Sequence, residues 1–310
     1  MILLDPPAWP AHDTLWSHLV SDTSLLELRA FARAAGLPDR GFDLDHYDAP
    51  ARRYDELVAA GATPVDGRAL SRRLATSGLR VPGHERTAAK RPALAARWAA
   101  LWEVAPDARL AAVGDDLVAR WGEPHRVYHG RLHLVAALDA LDTLLGDAPV
   151  PSADARVARL ALWFHDAVHD GAAGLDEERS AALAADLLAP LADRVTTPLT
   201  SADVAEIVRL VLLTAGHDPA EGDALGALVS DADLAVLGGA PARYGRYVQQ
   251  VRAEYADVPD DAFRTGRAAV LEQLLALPVL FRTPAGQARW AAPAEANLRA
   301  ELAALGGVAA

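Results

Sequence analysis

The hydrophobic positions divide the chain into two parts with different periodicity. Near the start, Ile2–Leu4 is a short apolar run closed by an Asp-Pro-Pro sequence, which predicts a strand followed by a turn. A second short strand is predicted over 62–65. Apolar residues at helical spacing, closed by glycine or proline, predict three helices, over Asp22–Ala35, Pro50–Ala60 and Gly67–Ser77. Residues 1–80 therefore predict a small α+β domain.

The second part of the chain has only helical periodicity. Residues 81–92 lack a regular pattern and predict a linker. From Ala93 onward, apolar residues recur at i, i+3, i+4 and i+7 between Gly, Pro and Asp residues, so that 93–310 predicts an all-α domain. Three of its helices carry the candidate chemistry and are predicted over about Pro124–Leu145, Ala153–Asp170 and Ser201–Ala215.

Composition narrows the class of protein. The 310 residues are 52% hydrophobic and 23% charged, as in a folded globular protein. Thirty Lys and Arg against 42 Asp and Glu give 30 − 42 = −12, which argues against nucleic-acid binding. There is no cysteine for a disulfide or a thiolate metal site, no apolar run long enough for a membrane span and no basic start of a signal peptide. We expect a cytoplasmic protein that binds neither membranes nor nucleic acid.

Histidines and aspartates suggest metal binding in the helical part. Histidines stand at i, i+4 and i+8 on the first of the three helices, and two His-Asp pairs stand four residues apart on the second; they are His125, His129, His133, His165-Asp166 and His169-Asp170. A His-Asp pair alone is commonplace, and the chain has four. The pair at His165 follows a strongly apolar run, where packing would desolvate the carboxylate unless a cation or donors compensate.

Several spaced motifs resemble the predicted metal-dependent phosphohydrolases of the HD superfamily. In order they are Tyr128-His129-x-x-x-His133, Trp163-Phe164-His165-Asp166, Glu177-Glu178-x-Ser180-Ala181, Asp231-Ala232-Asp233-Leu234-x-x-Leu237-Gly238, Tyr247, Arg252-x-Glu254-Tyr255 and Asn297-Leu298-x-x-Glu301. The resemblance covers nearly all of residues 93–305. It implies an all-α HD-type domain behind the small α+β domain.

The resemblance also implies a set of metal ligands. These are His133, His165, Asp166 and Asp233. His133 is preferred to His129 because of the Leu-Val-Ala-Ala-Leu that follows it, and Asp233 to Asp231 because it precedes the leucine of the last motif. A nitrogen and oxygen shell without sulfur suits Mn, Mg, Fe, Co, Ni or Zn. Such an ion lowers the pKa of water and polarises a phosphoryl group.

Catalytic and substrate-binding residues follow from the same comparison. The predicted catalytic residues are Glu178, Asp166 and His129; the predicted substrate-binding residues are Arg126, His217 and Arg252. Glu178 is preferred to Glu177 as a general base because the family has Asn at the Glu177 position. The arginines are candidates for a bidentate grip on phosphate. His129, His169 and His217 could also support the shell or bind a second metal.

These residues predict a metal-dependent phosphohydrolase acting on a small phosphorylated substrate, either a phosphomonoester or a nucleotide. Two alternatives remain open. One is a dinuclear iron oxygenase on the same scaffold, with the additional histidines holding a second iron. The other is a non-catalytic regulatory module that binds a metal or a nucleotide.

The first part of the chain resembles a small uncharacterised bacterial domain. The resemblance rests on Ile2-Leu3-Leu4-Asp5, Trp9-Pro10, Trp16-Ser17-His18-Leu19, Asp22 and His46-Tyr47-Asp48. It implies no activity. The polar residues among these either form a second polar pocket or cap helices and fix turns, and the second interpretation is favoured here.

Overall fold

The computed structural model describes residues 1–102, 108–171, 175–194 and 198–306. The chain divides into two compact units, one of Met1–Gly83 with Gly245–Pro259 and one of His84–Tyr244 with Asp260–Ala310. The division between Gly83 and His84 falls in the segment predicted as a linker, where the structure has a helix over Gly83–Ala88. The predicted domain end at residue 310 lies outside the described residues.

The first unit contains a six-stranded sheet. Its strands are β1 (Ile2–Leu4), β2 (Trp9–Ala11), β3 (Thr14–Ser21), β4 (Phe42–Asp43), β5 (His46–Pro50) and β6 (Thr63–Pro64). The order is β4-β5-β3-β1-β6, with β2 paired to β3, and only β1 and β6 are parallel. The sequence pattern predicted the first and last of these strands. It did not predict the long central strand β3, whose polar residues interrupt any regular alternation.

Three helices accompany this sheet: α1 (Leu25–Ala34), α2 (Tyr54–Ala59) and α3 (Gly67–Thr76). Helix α1 begins later than predicted because Ser24, and not Asp22, accepts the capping hydrogen bond from the backbone N–H of Glu27. Asp22 instead binds the ammonium group of Met1 at 2.8 Å. A 3₁₀ turn over Ala51–Arg53 replaces the first turn of the helix predicted from Pro50.

The rest of the described chain is mostly helical. In chain order the helices are α4 (Gly83–Ala88), α5 (Arg91–Ala99), α6 (Ala108–Arg120), α7 (Arg131–Asp147), α8 (Ser152–Phe164), α9 (Leu175–Leu188), α10 (Ser201–Leu213), α11 (Ala224–Leu234), α12 (Pro241–Glu254), α13 (Asp260–Ala276), α14 (Pro284–Gly286) and α15 (Ala292–Gly306). A π turn over Gln287–Ala291 joins the last two. A small α+β region followed by a mostly helical body is therefore confirmed.

The core of the helical unit lies among α7, α8, α10 and α11. Trp163, Phe164 and Ile207 are fully buried there, and each buried side chain of this size contributes roughly 1.5–3 kcal/mol of transfer free energy.

Among the described residues no single helix has the length and hydropathy of a membrane span, and only the bent pair Ala224–Gly238 with Pro241–Glu254 meets that criterion together.

Two helix boundaries differ from the prediction in a way that shapes the site. Helix α7 begins at Arg131 and not near Pro124, because Gly130 before it is extended and the preceding residues form turns. His125 and His129 therefore lie outside the helix. Helix α8 ends at Phe164 and not at Asp170, so His165 lies at its C-terminus and Asp166 in the following turn.

Candidate metal centre

Three helices bring the four predicted ligands together. His133 lies in the first turn of α7, His165 and Asp166 at the end of α8, and Asp233 near the end of α11. His133 and His165 are 5% and 1% exposed. Their helices form the centre of the hydrophobic core, which fixes the backbone positions from which the polar groups extend.

The ligand atoms of these residues face one another. The Nε2 atoms of His133 and His165 are 3.0 Å apart. Oδ1 of Asp233 lies 3.0 Å from Nε2 of His133 and 3.3 Å from Nε2 of His165. Oδ2 of Asp166 lies 3.6 and 3.1 Å from the same two nitrogens. Atoms bound to one ion at about 2.1 Å are roughly 3.0–3.4 Å apart, and the spacing among His133, His165 and Asp233 fits a shared divalent ion.

Hydrogen bonding orients the imidazole of His165 for this role. Its Nδ1 donates to the backbone carbonyl of Leu162 at 2.8 Å, which directs Nε2 toward the cluster. A metal-ligating histidine is commonly held in this way by its second nitrogen. Trp121 packs against His165, with ring centres 5.3 Å apart. Tyr128 packs against His133, with ring centres 4.8 Å apart. The indole of Trp121 is fixed by donating to the carbonyl of Trp163.

The charges of the cluster also suit a cation. Burial alone raises the pKa of Asp166 and of Asp233, but the neighbouring histidines, His165 foremost, together outweigh burial, so that the pKa of both carboxyls lies below the ordinary 3.8. Burial lowers the pKa of His165, and the two carboxylates raise it to a net value well above the ordinary 6.5. Two ionised carboxylates buried together need positive charge, which either a proton on an imidazole or a divalent ion supplies.

Asp231 and Asp233 have different surroundings. Asp231 is fully buried and accepts hydrogen bonds of 2.7–2.8 Å from the backbone N–H of Arg282 and from both the backbone N–H and the hydroxyl of Thr283. It therefore holds the 282–283 loop against α11. Asp233 alone of the two contacts the histidine cluster, as its place in the motif predicted.

His217 lies near the second carboxylate oxygen of Asp233. Its Nε2 is 3.5 Å from Oδ2 of Asp233, and its Nδ1 is 3.3 Å from the hydroxyl of Ser230. Burial lowers the pKa of His217. The backbone of His217 is in the left-handed region, with φ of 52°, which turns the chain after α10 and directs the imidazole inward.

Arg126 lies close to the site but is bound to backbone. Its side chain is 1% exposed, and its guanidinium donates to the carbonyls of His129, Asp166 and Ala167 at 2.6–3.1 Å and to the carboxylate of Glu123 at 3.0 Å. These bonds tie the loop before α7 to the turn after α8. The geometry thus gives Arg126 a positioning role in place of the predicted contact with substrate.

Of the two glutamates at the start of α9, Glu177 is the more buried. Oε2 of Glu177 is buried and has no hydrogen-bond partner among the described residues, and its charge raises the pKa of His217, which indicates proximity. Glu178 is exposed. The family resemblance favoured Glu178 as the general base. The burial of each residue on α9, which only the structure shows, favours Glu177.

The remaining predicted residues have other partners. The ring of His129 packs against that of His169, with centres 4.1 Å apart. The centre of the His129 ring is 5.9 Å from that of His133, and the charge of His129 lowers the pKa of Asp166. Arg252 belongs to the unit that contains the sheet and donates to the backbone carbonyls of Tyr255 and Val258.

Comparison with known proteins characterises only the first part of the chain. A family described as a protein of unknown function, DUF4031, matches residues 2–77. The match confirms a domain of unknown function over these residues. The matched residues lie outside the helical unit that holds the cluster. No curated protein and no solved structure matches the chain.

Proposed function

We propose that the helical unit is a metal-dependent phosphohydrolase of the HD type, acting on a phosphomonoester or a nucleotide. The observation that carries the proposal is the convergence of His133, His165, Asp166 and Asp233, which come from three separate helices. Their nitrogen and oxygen donors suit a divalent ion of the Mn, Mg, Fe, Co, Ni or Zn group. An ion bound there supplies Lewis-acid chemistry, lowering the pKa of water and offsetting charge on a phosphoryl group.

The protein's own residues divide the remaining tasks. Asp166 and Asp233 provide negative charge, and His165 is oriented by the carbonyl of Leu162. The carboxylate oxygen of Glu177, which is buried without a partner among the described residues, would accept a proton from an attacking water. His217 is a second proton-carrying group at the opposite side of Asp233 and a contact for substrate oxygen.

Hydrolysis of a panel of phosphomonoesters and nucleotides in the presence of Mn²⁺ or Co²⁺ tests the proposal. The unmodified protein should release phosphate. Asp166→Ala should abolish turnover and lower the metal content of the helical unit, because one of the four ligands is lost. Full metal content and activity in that variant would show that the assignment is wrong.

The second His-Asp pair provides a matched control. Asp170 also follows a histidine, but its side chain is 66% exposed and pairs with Arg179 outside the cluster. Asp170→Ala should keep metal and activity. Two irons per chain together with oxygen uptake would instead favour a dinuclear oxygenase, and bound metal without turnover on any substrate of the panel would favour a regulatory module.

A further inference from the structure

A second group of metal-ligating side chains lies on the sheet of the first unit. In the register of β3 and β5, His18 is directly opposite Asp48. His46 is two residues before Asp48 and therefore shares its face of the sheet. On the other side of β3, Asp5 follows β1 and donates its backbone N–H to the carbonyl of His18. The sheet thus aligns four polar residues across three neighbouring strands.

The three residues His18, His46 and Asp48 come close enough to share an ion. Each offers a ligand atom, and these atoms all lie within 4.8 Å of one another. Nε2 of His46 is 3.3 Å from Oδ1 of Asp48, and the two imidazole centres are 5.1 Å apart. These distances resemble those of the cluster in the helical unit.

A buried carboxylate lies behind each imidazole. Nδ1 of His18 is 2.9 Å from Asp5, and Nδ1 of His46 is 2.8 Å from Asp45. Asp5 is 4% exposed and Asp45 is fully buried; the second carboxylate oxygen of Asp45 accepts from the backbone N–H of Val81. A carboxylate on Nδ1 fixes the tautomer, directs Nε2 outward and increases its basicity, as in carboxylate–histidine–zinc sites.

We propose that His18, His46 and Asp48 bind a divalent ion of the zinc class, with Asp5 and Asp45 as the carboxylates that orient the two imidazoles. Two nitrogens and one oxygen form the ligand set of an open zinc site, in which the fourth position takes water or a substrate. Exposure agrees with this, since the side chains of His18 and Asp48 are 27% and 45% exposed. The ring of Trp9, a largely exposed residue, borders the site, and its centre is 5.2 Å from that of the His18 ring.

Zinc content of the full-length protein tests the site separately from the helical one. The measurement is made on protein carrying both Asp166→Ala and Asp233→Ala, which leaves only two imidazoles at the first site, after equilibrium dialysis against micromolar Zn²⁺. This protein should retain one zinc per chain. Adding Asp48→Ala should remove it, and because the Asp48 side chain is nearly half exposed, the fold should tolerate the change.

Two further variants complete the experiment. His18→Phe keeps a ring against Trp9 but removes the ligand, and it should also lose the zinc. His12→Asn changes an exposed histidine in the left-handed turn between β2 and β3, where Asn is tolerated, and should keep the zinc. The inference is overturned if the Asp166→Ala/Asp233→Ala protein holds no zinc, or if Asp48→Ala and His18→Phe in that background hold as much as His12→Asn. Phosphatase activity plays no part in this test, so its outcome is independent of the proposed function.

Discussion

The carboxyl groups of Glu177 and Glu178 are neighbours in sequence but have opposite surroundings. One oxygen of Glu177 is buried without a partner among the described residues, whereas Glu178 is exposed. A general base must lie within reach of the attacking water, and the buried carboxylate of Glu177 is therefore the candidate we favour.

Substitution of the two glutamates separates their roles. Glu177→Gln keeps the shape of the side chain and removes its ability to accept a proton, and we expect kcat to fall by about 10²–10⁴-fold. Glu178→Gln should change kcat by less than about threefold, as expected for an exposed position. Steady-state kinetics with a phosphomonoester substrate measure both. Equal losses, or a larger loss for Glu178→Gln, would contradict the assignment.

The cluster in the sheet illustrates what the sequence does not reveal about single residues. His18, His46 and Asp48 were all recognisable as polar residues in a small domain, and helix caps or turns were the favoured interpretation. Only the register of β3 on β5 brings His18 opposite Asp48. Asp22, grouped with them in the sequence, binds the N-terminal ammonium group instead.

The ends of helices, more than their middles, determine the geometry of the candidate metal centre. Helix α8 stops at Phe164, and the turn that follows is held by Arg126, whose guanidinium binds the carbonyls of Asp166 and Ala167. The hydroxyl of Ser180 also accepts from the backbone N–H of Val168. Apolar periodicity predicted that a helix exists here. It could not predict where the helix ends, because the competing partners of the backbone come from distant segments.

Replacement of Arg126 tests its positioning role. Arg126→Lys keeps the charge but cannot bind three carbonyls with one planar group, so the segment carrying Asp166 should lose its fixed position. We expect metal affinity to fall by about 10-fold or more and the free energy of unfolding by about 2 kcal/mol. Competition with a metal indicator and urea unfolding measure the two effects. Unchanged metal affinity in the folded variant would contradict the role.

The start of helix α11, which carries Asp233, is fixed by Asp223. Its carboxylate accepts from the backbone N–H of Gly226 at 2.9 Å and binds the guanidinium of Arg209 at 2.7 and 3.0 Å. Burial raises the pKa of Asp223, but Arg209 and the backbone donor outweigh it, leaving the pKa below the ordinary 3.8. A carboxyl group whose pKa is lower in the folded state contributes stability above its unfolded value and loses that contribution as the pH falls through the folded value.

Two substitutions at this position separate capping from charge. Asp223→Ala should lower the free energy of unfolding by about 1 kcal/mol at neutral pH, and its deficit relative to the unmodified protein should shrink below pH 3.8. Asp223→Asn retains a capping oxygen and should lose less. Urea unfolding at several pH values provides the measurement. A deficit for Asp223→Ala that is constant with pH would show that the carboxylate charge contributes nothing.

The sequence predicted a small α+β region followed by a mostly helical body better than it predicted the interior of either part. The change from mixed to purely helical periodicity near residue 90 reflects a real change of architecture. The central strand β3 was missed because its polar residues are determined by neighbouring strands and by the cluster, not by a regular alternation. The four residues of the candidate metal centre were proposed from local motifs, while their convergence depends on the packing of α7, α8 and α11.

Anomalous X-ray scattering from crystals of the full-length protein grown with Mn²⁺ or Zn²⁺ gives the most direct test of that convergence. We predict one anomalous peak in the helical unit, about 2.1 Å from a nitrogen of His133, a nitrogen of His165 and an oxygen each of Asp166 and Asp233. An ordered structure in which metal is bound elsewhere in this unit, or in which these four side chains surround no ion at saturating metal, would contradict it.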